Sequence, residues 1–402
     1  MSKNNNQMDL NENSQISGFI TDSLPRILFF ISFVSLVLSS FFIKLDSNNF
    51  FFSYLTSYIF YLTISLGAMF FVLVFHLTRS GWSVVIRRIA EHLMKNVWVF
   101  LLLFIPIIFG MYDLYHWTHM DAVAHDHLLQ VKFPYLNKPF FFVRVLFYFF
   151  CWIFIANRFF NKSVTQDISS DSSITRFLQR SATFSMLLYA LTQSFAFIDW
   201  VMSLTPHWYS TIFGVYFFGG SAMVSMCVIT LLAMFLRTKG FLRNIITVEH
   251  YHDMGKLTYG FMVFWSYIAF SQFFLIWYAN IPEETLFFKE HFFGSWTGVT
   301  TLLCVGHFAV PFLLFMSRHV KRNLVLHAIM AIWLVFMHYV DVFWVIMPNV
   351  YKSGFSYSII DFLVFVGIGS LFFGLFFKRI NKSFIVPVSD PRINESLSFK
   401  NH

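Results

Sequence analysis

Charge is scarce in this chain: Asp, Glu, Lys and Arg make up 12% of 402 residues, about half the share of an ordinary soluble domain. That scarcity over such a length excludes both a soluble globular protein and a disordered one. Cysteine is almost missing. Cys151, Cys227 and Cys304 stand far apart inside apolar runs, and none belongs to a CxxC pair, a CxxCH haem-attachment motif or an iron–sulfur spacing. Any redox centre must therefore be borrowed from a partner or be a diffusible quinone. Proline is also sparse, at 10 residues, and it gathers at the ends of apolar runs. The runs lack the apolar/polar alternation of barrel strands. The first 23 residues have no basic n-region and no small-residue cleavage site, so the expectation for 1–23 is a disordered tail and not a signal peptide.

What is present is apolar. Hydrophobic residues are 57% of the chain, with 58 Phe, and long uncharged runs recur near or above the roughly 20 residues a helix needs to cross about 30 Å of hydrocarbon. The expected fold is an all-α polytopic membrane protein of ten transmembrane helices, at about 25–44, 51–75, 97–116, 139–160, 180–202, 211–236, 257–279, 293–316, 325–347 and 359–377. The membrane domain then covers 24–378 and a cytoplasmic tail covers 379–402. Of the 28 Lys and Arg, 22 fall on the amino tail, alternate loops and the carboxyl tail. The opposite loops hold Lys44, Lys132, Lys138, Lys289 and Lys352, and Arg144 lies inside the fourth span. This bias places both termini in the cytoplasm. The net charge of +8 is thus a topology signal on loops and tails, with no nucleic-acid surface implied.

The 79–95 loop carries Trp82, Val85, Ile86, Ile89 and Leu93 at helical spacing with Arg87, Arg88, Glu91 and Lys95 between them, which predicts a short helix lying on the cytoplasmic face. The 117–138 loop holds His119, Asp121, His125, Asp126 and His127 beside His116. No pair there has ligand spacing on a firm helix, so the expectation is a solvated loop without a metal.

Polar residues inside the spans are expensive and need a reason. Asp199 precedes Pro206 by seven residues, as Asp341 precedes Pro348. Both pairs close an outward-running helix, four helices apart. The pattern predicts two four-helix bundles, about 51–202 and 211–347, related by an axis along the membrane normal, with peripheral helices at 25–44 and 359–377. At 1.5 Å per residue, Asp113, Arg144 and Asp341 lie about 24 Å and Asp199 about 28 Å from the cytoplasmic helix ends. They form one layer. Arg144 is the natural counter-ion of Asp113 or Asp199. Deeper in lie His307 and His338, the latter three residues before Asp341 and so on its face, and with Gln193 and Gln272 they make a candidate polar ladder. Asp113, Arg144, Gln193, Asp199, Gln272, His307, His338 and Asp341 are the candidate proton path. His116, Asp199, Trp200 and His207 are the candidate quinone contacts, with a histidine as base. Against these stands a plain structural reading, in which Asp199 caps its turn by accepting from the backbone or Trp208, and Arg144 belongs to a structural ion pair.

The stretch Phe197-Ile198-Asp199-Trp200-Val201-Met202-Ser203-Leu204 followed by Pro206-His207-Trp208-Tyr209-Ser210-Thr211-Ile212-Phe213-Gly214-Val215-Tyr216 resembles the signature of the second quinone-binding-type membrane subunit of bacterial alternative complex III. His252-Asp253-Met254-Gly255-Lys256-Leu257, Phe270-Ser271-Gln272 running on through Ile276-Trp277-Tyr278-Ala279-Asn280-Ile281-Pro282-Glu283-Glu284-Thr285, and Ser317-Arg318-His319-Val320-Lys321-Arg322-Asn323 agree with it. The resemblance covers about 20–380 and places the chain near the polysulfide-reductase membrane-anchor (NrfD-like) superfamily. It implies ten helices in two bundles, no cofactor held covalently, and menaquinone or ubiquinone as the lipid-soluble redox partner. It further implies assembly in the bacterial inner membrane with a sister NrfD-like subunit, an iron–sulfur protein, multihaem cytochrome c subunits and, in some assemblies, a terminal oxidase. Haem and iron–sulfur clusters would sit only in those partners, and this subunit would be a proton-conducting or structural half. Thr205 stands where the resembling sequences carry an acid, which leaves Asp199 as the sole carboxylate of its turn. The alternative from the residues alone is a proton-coupled secondary transporter.

Overall fold

The computed structural model describes residue 16 and residues 18–352 and 354–401. Ten helices are long and apolar enough to cross a membrane: α1 Phe19–Lys44, α2 Ser47–Leu77, α3 Val84–Phe109, α4 Lys138–Ser169, α5 Ser172–Leu204, α6 Phe213–Thr238, α7 Val248–Ala279, α8 Trp296–Met316, α9 Leu324–Asn349 and α10 Ile359–Ile380. No strand occurs among the described residues. The chain is an all-α polytopic membrane protein. Six of these spans begin where a short polar side chain takes the free amide groups of the first turn. Asp46, Asn137, Asp171 and Asn323 each accept from a backbone N–H two or three residues on. Thr247 and Ser358 build reciprocal caps with His250 and Asp361.

Helices α2 to α5 form one bundle and α6 to α9 the other. They meet along α2 and α6, the two most enclosed spans. Small residues permit that seam, because hydrocarbon gives helices little reason to associate beyond close contact and shared hydrogen bonds. A Cβ on Gly67 would lie 2.0 Å from the Ser221 carbonyl oxygen, and Ser225 Oγ donates to the Ile64 carbonyl at 3.0 Å. α10 packs on α2, and α1 packs mainly on α10, so these two are the peripheral pair. The loops joining α1 to α2, α3 to α4, α5 to α6, α7 to α8 and α9 to α10 share one side, here the hairpin face. The other side is the tail face.

Three expectations are corrected. Residues 1–15 and 17 lie outside the described residues, but α1 already starts at Phe19, inside the stretch expected to be tail. The helix expected to lie on the surface over 79–95 is instead the first part of α3, Val84–Met94, and every residue in it is buried. Periodicity located its apolar face and could not reveal that the charged face is also covered. The cover is the third surprise: residues 382–401, within the stretch 379–402 expected to be a cytoplasmic tail, fold back as a strap. Ile385, Val386 and Ile393 are buried. Ser396 Oγ donates to the Trp82 carbonyl at 2.6 Å, and Asn401 Nδ2 donates to the Glu249 carbonyl of α7 at 3.2 Å. The strap therefore ties the first bundle to the second.

Under it lies a buried ion network. Arg87 reaches Asp390 of the strap at 2.6 Å and Glu91 at 3.3 Å, while Arg88 reaches Glu91 at 2.9 Å and Asp167 of α4 at 2.7 Å. Removing one partner of a buried pair leaves a charge without compensation, at roughly 3–5 kcal/mol for a dry pair. Asp390→Ala is therefore expected to lower the melting temperature and to expose 382–401 to protease, with a cost near the lower of those figures because Arg87 keeps Glu91. A strap as resistant as in the wild type would refute its dependence on that pair.

Candidate functional site

The two bundles treat their acids differently. In the first, Asp199 of α5 is fully buried and is gripped by Arg144 of α4 through Nε to Oδ2 at 2.7 Å and Nη2 to Oδ1 at 3.0 Å. Tyr148, one turn along α4 from Arg144, donates to Oδ2 at 2.7 Å. The guanidinium donates its remaining arm to the Tyr135 carbonyl at 2.8 Å and lies over the Tyr135 ring at 3.9 Å. This fork-on-fork geometry is the strong form of an ion pair. Trp208 does not cap Asp199; it stacks on Phe287 at 4.2 Å. Trp200 sits in an aromatic cage of Trp152, Phe149, Phe104 and Tyr58.

Asp113 takes no part. The third span stops at Phe109, and Asp113 stands in a separate short helix, Met111–Leu114, accepting from Ser47 Oγ at 3.4 Å. Of the two proposed partners of Arg144, the structure selects Asp199. Gln193 also belongs to the first bundle, on α5, with neither amide atom hydrogen-bonded to protein. It does not join the histidines, so the expected single ladder is split between the bundles.

In the second bundle Asp341 of α9 is buried and has no cation beside it. It accepts from the Tyr216 hydroxyl of α6, and His338 Nδ1 lies 3.9 Å from its Oδ2. Hydrogen counting fixes the tautomer of that histidine. Thr63 Oγ1 donates to the Phe60 carbonyl at 2.6 Å, so at the 3.0 Å contact between Thr63 Oγ1 and His338 Nε2 the histidine donates. Nδ1 then faces an ionised Asp341 lone pair to lone pair, and one added proton on either group makes the contact attractive. α6 comes close enough only because residue 220 is glycine, where a Cβ would lie 2.7 Å from His338 Cε1. His307 lies in a π-turn, Leu303–Ala309, within α8. Its ring lies 3.8 Å from that of Trp265, and neither nitrogen has a protein partner.

Asp341 lines a cavity of about 550 Å³ between α6, α7, α8 and α9. Its other walls are mostly aromatic, and the exposed side chains of Tyr267, Phe270 and Cys304 open it toward the lipid side. Gln272, another polar residue of its lining beside Tyr216, Ser266 and Thr300, accepts from Ser210 Oγ at 3.1 Å. Sequence reasoning missed Tyr216, Thr63 and Trp265. A tyrosine or threonine in an apolar helix gives no sign of its partner until the neighbouring helix is placed.

A second cavity, of about 610 Å³, opens on the hairpin face between the ends of α5 and α9. Asp113, His116, His119, His207, Glu290 and Lys352 line it. His207 and Asp126 pair at 2.5 Å, and the hydrogen bond from His207 holds the Asp126 carboxyl below its ordinary range. His119 donates to the Tyr112 carbonyl at 2.7 Å and His125 to that of Asp121 at 2.8 Å, so these rings serve local turns. Of the four candidate quinone contacts, His116 and His207 border this polar cavity, whereas Asp199 and Trp200 are enclosed in the first bundle. Phe287 is the shared wall of the two cavities. It is clamped between Trp208 and His291, whose ring stacks on it at 4.0 Å.

Two outcomes follow. Arg144→Met is expected to lose roughly 3–5 kcal/mol of stability or fail to assemble, since it strands Asp199. Adding Asp199→Asn should recover most of that loss and adding Asp113→Asn none, by thermal melting of the purified variants. The second concerns His291, which burial pushes down to about 4. The unfolded chain binds this proton near pH 6.5 and the folded chain does not until about 4, so the contribution is complete above 6.5 and is lost as pH falls toward 4. It amounts to roughly 3 kcal/mol. His291→Gln should remove this part of the acid sensitivity; an unchanged slope of melting temperature against pH would exclude it.

Comparison with protein-family models and with curated proteins finds no match to this chain.

Proposed function

We propose that the chain is a multi-pass inner-membrane subunit of a respiratory quinol oxidoreductase of the alternative complex III kind, moving protons through its second bundle. The observation that carries this reading is the contrast between the acids. Asp199 has its charge cancelled in place by Arg144, which suits a structural tie. Asp341 has a tyrosine, a bare histidine nitrogen and a lipid-side cavity, the surroundings in which a carboxyl changes protonation state as its neighbours change. The cavity has the size and lining of a site for a lipid-soluble headgroup with few polar anchors. A quinone entering there would meet Asp341 and Gln272. In this reading the redox centres belong to partner subunits, both termini are cytoplasmic on the distribution of Lys and Arg, and the polar cavity on the hairpin face is the outer mouth of the path. A proton-coupled secondary transporter is the second reading. What favours it is the π-turn of α8 with Pro311 just beyond it, since broken spans accompany alternating access.

The test is proton-to-electron stoichiometry in reconstituted vesicles beside quinol oxidation in detergent. Asp341→Asn keeps the shape and an acceptor but exchanges no proton near neutrality. It should give an assembled complex that oxidises quinol at a near-normal rate in detergent and releases or takes up fewer protons per electron in vesicles. An unchanged stoichiometry overturns the proton path, and an isolated chain active without partners overturns the respiratory assignment in favour of transport.

A further inference from the structure

The tail-face end of the second bundle holds a cation that no described carboxylate answers. Lys321, in the turn between α8 and α9, is only 9% exposed. Its stem is laid along α7 where residue 255 is glycine; a Cβ there would lie 2.9 Å from Lys321 Cγ and 3.2 Å from His327 Cε1. Its ammonium stands 5.3 Å from the Tyr259 ring centre, and among the described residues no carboxylate pairs with it. The two acids nearest in α7 are already taken. Glu249 holds Arg322 in a two-pronged pair, and Asp253 holds Lys256 at 2.8 Å. Arg318, in the same turn, is exposed and also has no ion pair among the described residues. Burial and the nearby Lys256 push the Lys321 ammonium below its ordinary range. Next to it, Nδ1 of His252, a buried side chain, has no protein partner. The stem is buried while the ammonium reaches the surface, and a cation so held at a membrane boundary gains from an anion.

We propose that Lys321, with Arg318 and His252, receives the phosphate of an anionic membrane lipid whose chains lie beside α7 and α8. The location fits the chemistry. Exposed Leu313, Leu314 and Met316 of α8 lie immediately before the cations and offer acyl chains an apolar track, as in the basic pockets between helices that hold anionic headgroups. Tyr259 and the Gly255 notch fix the lysine stem, so the ammonium is presented and not free to roam.

The experiment uses the full-length protein in detergent, stripped of lipid, titrated with short-chain phosphatidylglycerol, with phosphatidylcholine and with inorganic phosphate, reading melting temperature and bound lipid by native mass spectrometry. Phosphatidylglycerol should bind and raise the melting temperature and phosphatidylcholine should not. Lys321→Gln should weaken phosphatidylglycerol about fivefold, the change that corresponds to about 1 kcal/mol per basic side chain at a membrane surface. Lys321→Arg should hold it, and Lys44→Gln on the opposite face should leave it unchanged. Equal binding of the two lipids, or a Lys321→Gln variant that binds phosphatidylglycerol like the wild type, overturns the site. Saturation by inorganic phosphate with no further gain from lipid would show a soluble phosphate-bearing ligand and overturn the lipid assignment.

Discussion

A charge taken out of water must be met by another charge or by several hydrogen bonds, and in a chain this apolar that constraint decides where polar residues can stand. Arg144 and Asp199 satisfy it with each other, and Tyr148 and the Tyr135 carbonyl use the directions left over. Arg87, Arg88, Glu91, Asp167 and Asp390 satisfy it as a group, drawing on two spans and the carboxyl strap. Asp361 satisfies it without a cation, by accepting from Ser53 Oγ at 2.5 Å and from the Ser358 amide at 2.7 Å. Each solution joins elements distant in sequence, so the scarce polar residues act as fasteners between helices whose apolar surfaces would pack almost equally well in other registers.

The α2–α6 seam has the complementary role. Gly67, Ser221 and Ser225 let two backbones approach within hydrogen-bonding range, and that proximity brings Thr63 of α2 against His338 of α9. The acid of the second bundle is thus linked through His338 to a residue of the first. Only two side chains, Thr63 and His338, stand between the seam and Asp341.

The ten spans and the division into bundles were legible because length and apolarity are one-dimensional signals that hydrocarbon thickness alone sets. The Asp199–Pro206 and Asp341–Pro348 spacing singled out two acids that both prove to be buried, each on the last helix of its bundle. The partner of Arg144 was left between two residues, because sequence depth gives height in the membrane and no angle about it. The third span ends early for a local reason. A Cβ on Gly110 would lie 2.2 Å from the Phe51 ring, so only glycine admits that ring, and the chain kinks there into the short helix bearing Asp113. The strap was misread for a different reason. Its sequence is polar enough to be a tail, and its buried anchors, Asp390 and Ser396, are residues that an exposed segment also carries.

The cavities were beyond sequence altogether, since a void is a property of what several helices leave unfilled. Their arrangement nonetheless extends the logic of the paired acids. Each bundle carries one buried carboxylate on its last helix, Asp199 on α5 and Asp341 on α9, and a cation on α4 pairs with the first. α8, the helix that matches α4 by position, carries a histidine in a π-turn in place of an arginine. A π-turn widens the helix by one residue and is often retained at functional positions; here it coincides with His307, whose ring lies against Trp265 without a protein hydrogen bond. Where the first bundle sets an arginine against its acid, the second sets a tyrosine and a histidine there. One bundle thus holds its acid in an ion pair, and the other holds its acid among uncharged hydrogen-bonding groups beside a cavity.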